Sequence, residues 1–354
     1  MFKKVLSLIL ACAICTGALV GCGNKDISSQ NDGEKSQEAQ AEVITIRDMA
    51  DREVIIPRDV QKVGTFGSIG VLNAFVECIG GGDKICNDMS PNFKKNDRWK
   101  YQYKFVPALS EKPQFENANR EIIIENVIEV NPDVCLVMNK AQLEELEAKG
   151  QTVVYLAWQN VDDVKECIDI LGKILNEEEN AEKYIKYFDD TVKRCQDISS
   201  KIPENEKKKV LYGDVITYKQ PHIIAEWWIK QAGGISVTDN GRTENTFTYS
   251  LEDLLSWNPE VIFLSTKATI EEIKAEPRMA NIPAVVNGQV YEVPTVAHVW
   301  GNRTVEQPLT IMWAMNKMYP EIMTEEMLRK EIFDFYDTFY GYQMTDDEIT
   351  EIIK

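Results

Sequence analysis

Hydrophobic and polar positions follow two patterns along this chain, one typical of short buried strands and one typical of amphipathic helices. Between residues 163 and 198, apolar side chains recur every three or four positions, which predicts two consecutive helices. The second helix would contain about twenty residues and measure about 30 Å, long enough to lie along two lobes as a stiff connector. Elsewhere, short apolar runs bounded by turn residues predict buried strands.

One helix–strand pattern occurs twice in the chain. Residues 125–137 read ENVIEVNPDVCLV, and residues 252–264 read EDLLSWNPEVIFL. Each copy begins with Glu, continues with the apolar spacing of a short helix, breaks at Asn-Pro and enters a run typical of a buried strand. A strand and a glycine-terminated helix precede each copy, beginning at Val63 and at Val210. Asn-Pro is a common turn dipeptide, but matched elements in the same order favour a repeat. They predict two similar α/β lobes with a cleft between them.

The N-terminal region is not expected to belong to the folded lobes. Lys3 and Lys4 precede an apolar run that ends near Val20 and is too short to span a membrane, which is typical of a signal peptide. Residues 23–41 contain almost no large apolar side chains, so we expect a flexible tether. The sequence therefore predicts a signal peptide at 1–21, a tether at 22–42, an N-terminal lobe at 43–162, connecting helices at 163–202 and a C-terminal lobe at 203–354.

Composition narrows the classes of function. The formal net charge of −18 argues against a nucleic-acid partner. The two histidines, His222 and His298, are a poor match to a three-histidine cage, so we expect no direct metal site. The cysteines beyond residue 22 lack a CxxC spacing and indicate buried thiols, although a bridge between Cys78 and Cys86 stays open. Phosphate-loop, nucleophile-elbow and zinc-protease motifs are missing from the sequence, so an enzyme is not expected.

Several motifs occur in an order that resembles one known family. Residues 19–22 (LVGC) resemble the lipobox of bacterial lipoproteins. The repeated Glu-x6-Pro-acid-Val motif follows, with residues 171–181 (LGKILNEEENA) between its copies and residues 313–321 (WAMNKMYPE) after them. Over nearly all of residues 43–354, the chain resembles the substrate-binding lipoproteins of ABC importers for ferric siderophores, haem and corrinoids.

This resemblance implies two Rossmann-like lobes joined by a single long α-helix, with the ligand in the cleft. It also implies that Cys22 is acylated and, through palmitate-type chains, anchors the protein at the extracytoplasmic face of the cell membrane. The ligand would pass to ABC permease subunits that work with a cytoplasmic ATPase. No cofactor is implied, and the expected ligand is an iron chelate such as a siderophore. The alternatives are haem, a corrinoid or an oxyanion such as molybdate or tungstate. A surface enzyme or a sensory module is the alternative of another class.

Ligand contacts are expected where the parallel strands of each lobe end, because open α/β sheets bind ligands at the carboxyl ends of their strands. Arg303 is the strongest candidate, since its planar guanidinium suits a carboxylate, a catecholate or an oxyanion. A structural pairing of Arg303 with Glu306 is the alternative. Trp300 is expected to stack on a flat ligand. Position at strand ends adds Lys140, Tyr218 and His222, and Ser68 adds a small hydroxyl donor in a glycine-flanked loop where a ligand can approach backbone N–H groups.

The first half of the repeat contains a basic and aromatic insertion, residues 93–105 (FKKNDRWKYQYKF). In a chain of strongly negative net charge, we expect this segment to form a cleft lip for an anionic, partly aromatic ligand. Its proposed ligand contacts are Lys94, Arg98 and Trp99. The alternative is a solvated loop whose aromatic side chains pack into the lobe.

Glu125 and Glu252 begin the two copies of the repeat. The family resemblance implies that one surface glutamate on each lobe contacts an arginine of each permease subunit. The alternative is that each Glu merely stabilises the positive end of its helix dipole, worth about 0.3–1 kcal/mol. Matched positions in both lobes favour permease docking.

Overall fold

The computed structural model describes residues 42–67, 69–265 and 270–354. Cys22, the expected signal peptide and all but the last residue of the expected tether lie outside these residues, as does Ser68. The expectations for these positions therefore stay predictions. Within the described residues, no helix combines the length and the apolar character needed to cross a membrane.

The secondary structure alternates strands with helices, as the apolar pattern predicts. The strands are β1 (Val43–Arg47), β2 (Glu53–Pro57), β3 (Val63–Thr65), β4 (Val134–Val137), β5 (Val153–Tyr155), β6 (Lys209–Gly213), β7 (Lys219–Gln220), β8 (Ile235–Ser236), β9 (Phe247–Thr248), β10 (Val261–Leu264) and β11 (Val290–Glu292). The helices are α1 (Ile69–Cys78), α2 (Pro91–Lys94), α3 (Lys100–Phe105), α4 (Ile124–Val130), α5 (Lys140–Glu147), α6 (Val161–Leu175), α7 (Glu178–Ser199), α8 (Ile224–Gln231), α9 (Leu251–Trp257), α10 (Ile270–Ala275), α11 (Pro283–Val286), α12 (Gln307–Met318), α13 (Glu325–Tyr340) and α14 (Asp346–Ile353).

Each lobe is built on a parallel sheet. The first lobe has the strand order β3-β4-β5, and the second has the order β11-β10-β6-β8. Thus β3, β4 and β5 correspond to β6, β10 and β11, in the same spatial order. Strands β4 and β10 are buried along their whole length, as expected of parallel strands covered by helices on both faces. The predicted two-lobed α/β fold is confirmed.

The Asn-Pro step of the repeat ends a helix in each lobe. Asn131 and Asn258 follow α4 and α9 with φ angles of 49° and 50°, in the left-handed region that asparagine tolerates better than most residues. The prolines that follow, Pro132 and Pro259, have no backbone N–H and cannot continue the helix. The chain therefore turns from helix into strand at the same point in both lobes.

The acidic residue after this proline forms hydrogen bonds with the backbone at the start of the neighbouring strand. Asp133 Oδ2 accepts hydrogen bonds of 2.8 Å from the backbone N–H groups of Gln61 and Lys62, just before β3. Glu260 Oε2 accepts a 3.1 Å bond from the backbone N–H of Lys209, at the start of β6. The repeated acid thus satisfies otherwise exposed donors at a sheet end and aligns adjacent strands.

The long connecting helix is α7, with 22 residues. At 1.5 Å per residue it measures about 33 Å. Near its start, the Asn180 amide donates to the Ile79 carbonyl of the first lobe at 3.4 Å. One turn later, the Tyr184 hydroxyl donates to the Val305 carbonyl of the second lobe at 2.6 Å. The helix therefore contacts both lobes along its length.

The C-terminal helices return to the first lobe. The Tyr340 hydroxyl at the end of α13 donates to the Ala74 carbonyl of α1 at 2.9 Å. On α14, the Glu351 carboxylate lies 2.5 Å from the Lys100 ammonium of α3. The lobes are thus connected by α7 and again by packing of the last two helices.

One hydrophobic core runs across the lobe boundary. It includes Trp158 from the first lobe and Trp228 and Trp313 from the second, all fully buried. The cysteines of the described residues are buried free thiols, Cys78 and Cys86 included. Burial raises the pKa of the Cys86 thiol to about 12, so this thiol is unreactive at neutral pH.

Candidate functional site

A cavity of about 160 Å³ lies between the lobes at the carboxyl ends of their strands. The first lobe contributes Val71 from α1, Met138 after β4 and Trp158 after β5; the second contributes His222, His298, Asn302 and Arg303. A larger hollow of about 440 Å³ also lies between the lobes beside the end of β11, but Asp97, Glu292 and Glu351 are among its lining residues. Another of about 860 Å³ lies beside the end of α7, outside the cleft. Strand-end position together with a described lining free of carboxylates makes the cavity of about 160 Å³ the candidate ligand site.

Arg303 spans the cavity from the second lobe to the first. Its guanidinium donates a hydrogen bond to the Trp158 carbonyl, and the Trp158 indole N–H donates to the Arg303 carbonyl at 3.2 Å. Burial lowers the pKa of Arg303, which Asp163 partly offsets from a distance, without a salt bridge. No described carboxylate lies within salt-bridge distance of this guanidinium, so its charge is available to an anion.

The structural pairing of Arg303 with Glu306, the alternative to a ligand role for Arg303, is wrong. The buried Glu306 carboxylate accepts hydrogen bonds from the backbone N–H groups of Ala297 at 2.9 Å and His298 at 2.7 Å. It also accepts from the Trp300 indole at 3.0 Å. Burial raises the pKa of Glu306 to about 7, against the opposing effect of these donors. Glu306 thereby fixes the loop that carries His298 into the cavity.

Trp300 is fully buried behind this loop, with its indole N–H used by Glu306. The structure therefore does not bring it to the cavity, and a stacking role toward ligand has no support from its position. An aromatic residue in a loop is equally compatible with core packing, which is what the structure shows. The tryptophan that lines the cavity is Trp158, which no motif in the sequence distinguishes from the other tryptophans.

Both histidines of the chain line the cavity. Burial, followed by the charge of Arg303, lowers the pKa of His222 to about 4. Burial, followed by His222 and Arg98, lowers the pKa of His298 to about 3. Both imidazoles are therefore neutral at pH 7, and each can donate one N–H to a ligand. His298 Nδ1 has no partner within the described residues, whereas His222 Nδ1 contacts the Asn245 amide.

Asn302 completes a wall of hydrogen-bond donors. Its Oδ1 accepts from the Tyr212 hydroxyl at 2.9 Å, which leaves the amide N–H groups free to donate. Aspartate and glutamate are missing from the described lining. No group of three or more metal-binding side chains occurs in the part of the chain that the structure describes. The cavity thus combines one available positive charge with neutral donors, and it is suited to an anion.

The basic insertion lies beside the cleft, but three of its five basic side chains are paired with acids rather than left free for a ligand. The Lys94 ammonium forms a 2.6 Å ion pair with buried Asp88. Lys100 pairs with Glu351 of α14, and Lys104 with Glu348 of the same helix. The aromatic side chains Trp99 and Tyr101 are buried. The local excess of positive charge is therefore largely neutralised by acids that are distant in sequence.

Arg98 and Trp99 contact the loop that carries His298, on the side away from the cavity. Arg98 is half-buried, and its guanidinium donates to Thr295 Oγ1 at 2.9 Å. Trp99 packs against the His298 ring with 5.3 Å between the ring centres. Neither residue lines the cavity. Their direct ligand contacts stay predictions, but both residues support the wall that carries His298.

Lys140 and Tyr218 also lie at strand ends but do not line the cavity. Lys140 is exposed at the start of α5. The Tyr218 ring packs against Tyr249 with 5.9 Å between the ring centres. The strand-end rule thus places His222 and Arg303 correctly at the cavity but does not fix side-chain direction for the other two. The strand ends also bring Met138 and Asn302 to the cavity, but neither side chain carries a charge or motif that would single it out, and Val71 lies in the helix beyond its loop.

Glu125 and Glu252 occupy matching exposed positions in the first turns of α4 and α9. Neither makes a salt bridge within the described residues. Three residues later, each helix exposes an apolar side chain, Ile128 at 55% and Leu255 at 43%. The two lobes therefore present the same acidic and apolar pair, and the docking role stays a prediction.

Comparison with known proteins places this geometry in a family. The sequence model described as periplasmic binding protein matches residues 90–297, more than half of the chain. The uncharacterised ABC transporter substrate-binding lipoprotein YvrC of Bacillus subtilis is 22% identical over 320 residues, covering 86% of this chain and 95% of that protein. A periplasmic solute binding protein of Veillonella parvula has a TM-score of 0.76 at 25% identity, covering 88% of this chain and 97% of the other.

A further relative is the molybdate-binding protein MolA of Haemophilus influenzae. It is 22% identical over 366 aligned positions, covering 95% of this chain and 97% of that protein. Its crystal structure bound to molybdate has a TM-score of 0.74 at 20% identity, covering 85% of this chain and 99% of the other. The family resemblance and the solute-binding function expected from the sequence are confirmed. This chain belongs to the periplasmic binding protein family.

Proposed function

We propose that this protein is the extracytoplasmic substrate-binding component of an ABC importer and that its ligand is a small oxyanion of the molybdate or tungstate type. The observation that carries this proposal is the cavity wall. It offers the Arg303 guanidinium, the Asn302 amide and two neutral imidazoles, with no carboxylate among the described lining residues. A fully deprotonated oxyanion presents only acceptors and matches such a set of donors.

The size of the cavity supports a small ligand over the iron chelate that the sequence placed first. A volume of about 160 Å³ corresponds to about five water molecules at 30 Å³ each. Pockets for drug-sized ligands usually measure about 300–1,000 Å³. A tetrahedral oxyanion would fit this volume, whereas a siderophore would require the lobes to separate. The similarity to MolA supports the same class of ligand.

A small metal chelate is the second candidate, because His222 and His298 place neutral imidazole nitrogens at one cavity. Neutral imidazole is a common metal ligand. The two candidates differ in their response to pH. An anion favours protonation of the imidazoles and should bind more tightly as the pH falls, whereas a metal competes with protons and should bind less tightly.

Titration calorimetry between pH 6 and pH 8 tests the proposal. The untagged soluble form would be titrated with molybdate, tungstate, sulfate, hydrogen phosphate and ferric citrate. We expect binding of molybdate or tungstate at one site, with affinity that rises as the pH falls. Saturable binding of ferric citrate alone, or tighter oxyanion binding at higher pH, would contradict the oxyanion assignment.

Membrane anchoring and permease docking belong to the same proposal. Acylation of Cys22 would hold the protein at the extracytoplasmic membrane surface. Glu125 and Glu252 would then contact the permease, supported by their matched exposure on both lobes. Mass spectrometry of the N-terminal peptide from the native membrane tests the anchor. In reconstituted vesicles, the E125A/E252A variant should lose most stimulation of the ATPase while binding its ligand as tightly as wild type. Full stimulation by this variant would remove the docking role.

A further inference from the structure

The segment of residues 96–105 extends from the first lobe across the cleft, and we call it the bridging segment. Its Arg98 Nε donates to Thr295 Oγ1 of the second lobe at 2.9 Å. The same guanidinium approaches the Ser265 carbonyl at the end of β10, at 3.5 Å. Both acceptors belong to the second lobe, so Arg98 joins the two lobes beside the cavity.

Gln102 makes a second connection and is fully buried. Its amide nitrogen donates to the Gly70 carbonyl of the first lobe at 3.1 Å and to the Ala297 carbonyl of the second at 2.7 Å. The N–H of His298, in the same peptide group as the Ala297 carbonyl, donates in turn to Glu306 at 2.7 Å. The peptide group next to His298 is therefore fixed from both lobes, by groups that do not touch the cavity.

Trp99 fills the space between these connections. A methyl group placed on Gly70 would lie 3.1 Å from the Trp99 ring, so the indole is packed closely against the start of α1. Trp99 also meets the His298 ring, with 5.3 Å between the ring centres. The indole therefore closes the volume behind the cavity wall, and a larger ligand could not extend in that direction without moving the segment.

The outer side of the bridging segment is also held. The Lys100 ammonium contacts both carboxylate oxygens of Glu351, at 2.5 and 2.7 Å, and Lys104 pairs with Glu348. These acids belong to α14, which follows the helix that packs on α1. The segment is thus fastened to the second lobe on its inner side and to the C-terminal helix on its outer side.

We propose that the bridging segment is the specificity-determining element of this protein, which holds the lobes together in the ligand-free state and restricts the cavity to small ligands. The choice of oxyanion and chelate probes rests on the proposed function, whereas the effect on lobe separation does not. Because the segment is inserted in only one of the two repeats, it can set ligand size without changing either sheet.

The test compares lobe separation in the ligand-free protein with and without these connections. Spin labels would be placed on K149C and N287C, exposed turn positions of the first and second lobes; the native cysteines of the described residues are buried. In R98A/Q102A, we expect a longer and broader distance distribution than in wild type. The matched control is K95A, one residue before the bridging segment, because Lys95 is exposed and its loss changes the net charge as R98A does.

Ligand selectivity gives the second measurement. Loss of the inter-lobe hydrogen bonds of Arg98 and Gln102 in R98A/Q102A should weaken molybdate binding about tenfold. Binding of ferric citrate should appear or strengthen in R98A/Q102A. The W99A variant should also gain affinity for ferric citrate. Thermal unfolding would confirm that each variant folds. An R98A/Q102A distance distribution that coincides with wild type would overturn the proposal. If wild type binds no oxyanion, the proposed function fails, while the distance measurement still decides this inference.

Discussion

Replacement of Arg303 by alanine should remove the only guanidinium that lines the described cavity. A hydrogen bond to a charged group contributes about 1.5–3 kcal/mol when its partner has left water. Arg303 is half-buried and donates to the Trp158 carbonyl, but it has no salt-bridged acid among the described residues, so its charge is not neutralised inside the protein. The dissociation constant of molybdate should therefore rise about 10-fold to 150-fold in R303A.

Calorimetry at constant pH and ionic strength measures this change, with thermal unfolding as a check on folding. R303K retains a charge but not the bidentate geometry, and we expect it to bind with intermediate affinity. K95A carries the same change in net charge outside the cavity and should bind as wild type does. Equal affinity of R303A and wild type would refute the assignment of Arg303 as the anion-binding group.

Two further predictions concern groups outside the cavity. The pKa of Glu306 in the folded state, about 7, lies above its ordinary value of 4.5, so the folded state binds more protons between these values. Its contribution to stability is therefore fully present below pH 4.5 and declines as the pH rises toward 7. In urea unfolding, the free energy of unfolding should fall less between pH 5 and pH 7 for E306Q than for wild type. An identical dependence of this free energy on pH in the two proteins would contradict the effect. Because the cysteines are buried, a thiol reagent should modify Cys78, Cys86, Cys135, Cys167 and Cys195 only after unfolding. Rapid modification of the native protein would show that the packing is wrong.

The two-lobed fold follows from local features of the sequence. Asn131 and Asn258 adopt left-handed backbone angles, and each is followed by proline, so the helix must end there in both repeats. The apolar spacing of residues 163–198 likewise specifies two helices, because only one face of each helix can be buried. These signals act within a few residues, and a single sequence is sufficient to reveal them.

The parts that the sequence did not reveal depend on contacts between distant residues. Lys100 and Lys104 pair with Glu351 and Glu348, about 250 positions further along the chain. The amphipathic pattern of α14 indicates a buried face but not the lobe that covers it. The basic insertion therefore resembled a ligand-binding lip, although most of its charge is structural.

The candidate site was only partly predictable for the same reason. Strand-end position selected Arg303 and His222, since the topology alone brings those loops together. It could not distinguish Trp300, whose indole N–H is taken by Glu306, from Trp158, which faces the cavity. Side-chain direction in a loop depends on the hydrogen-bond partners available after folding, and these are not visible in the local sequence.

The central claim is that a small oxyanion binds between the lobes at Arg303, His222 and His298. Because the chain contains two histidines and both line the cavity, NMR of untagged protein labelled with ¹⁵N-histidine observes this site alone. In free protein, both imidazoles should remain neutral from pH 8 to pH 6. One equivalent of molybdate should shift both sets of signals and raise the pKa of both rings. Signals that do not change at saturating molybdate would contradict the account.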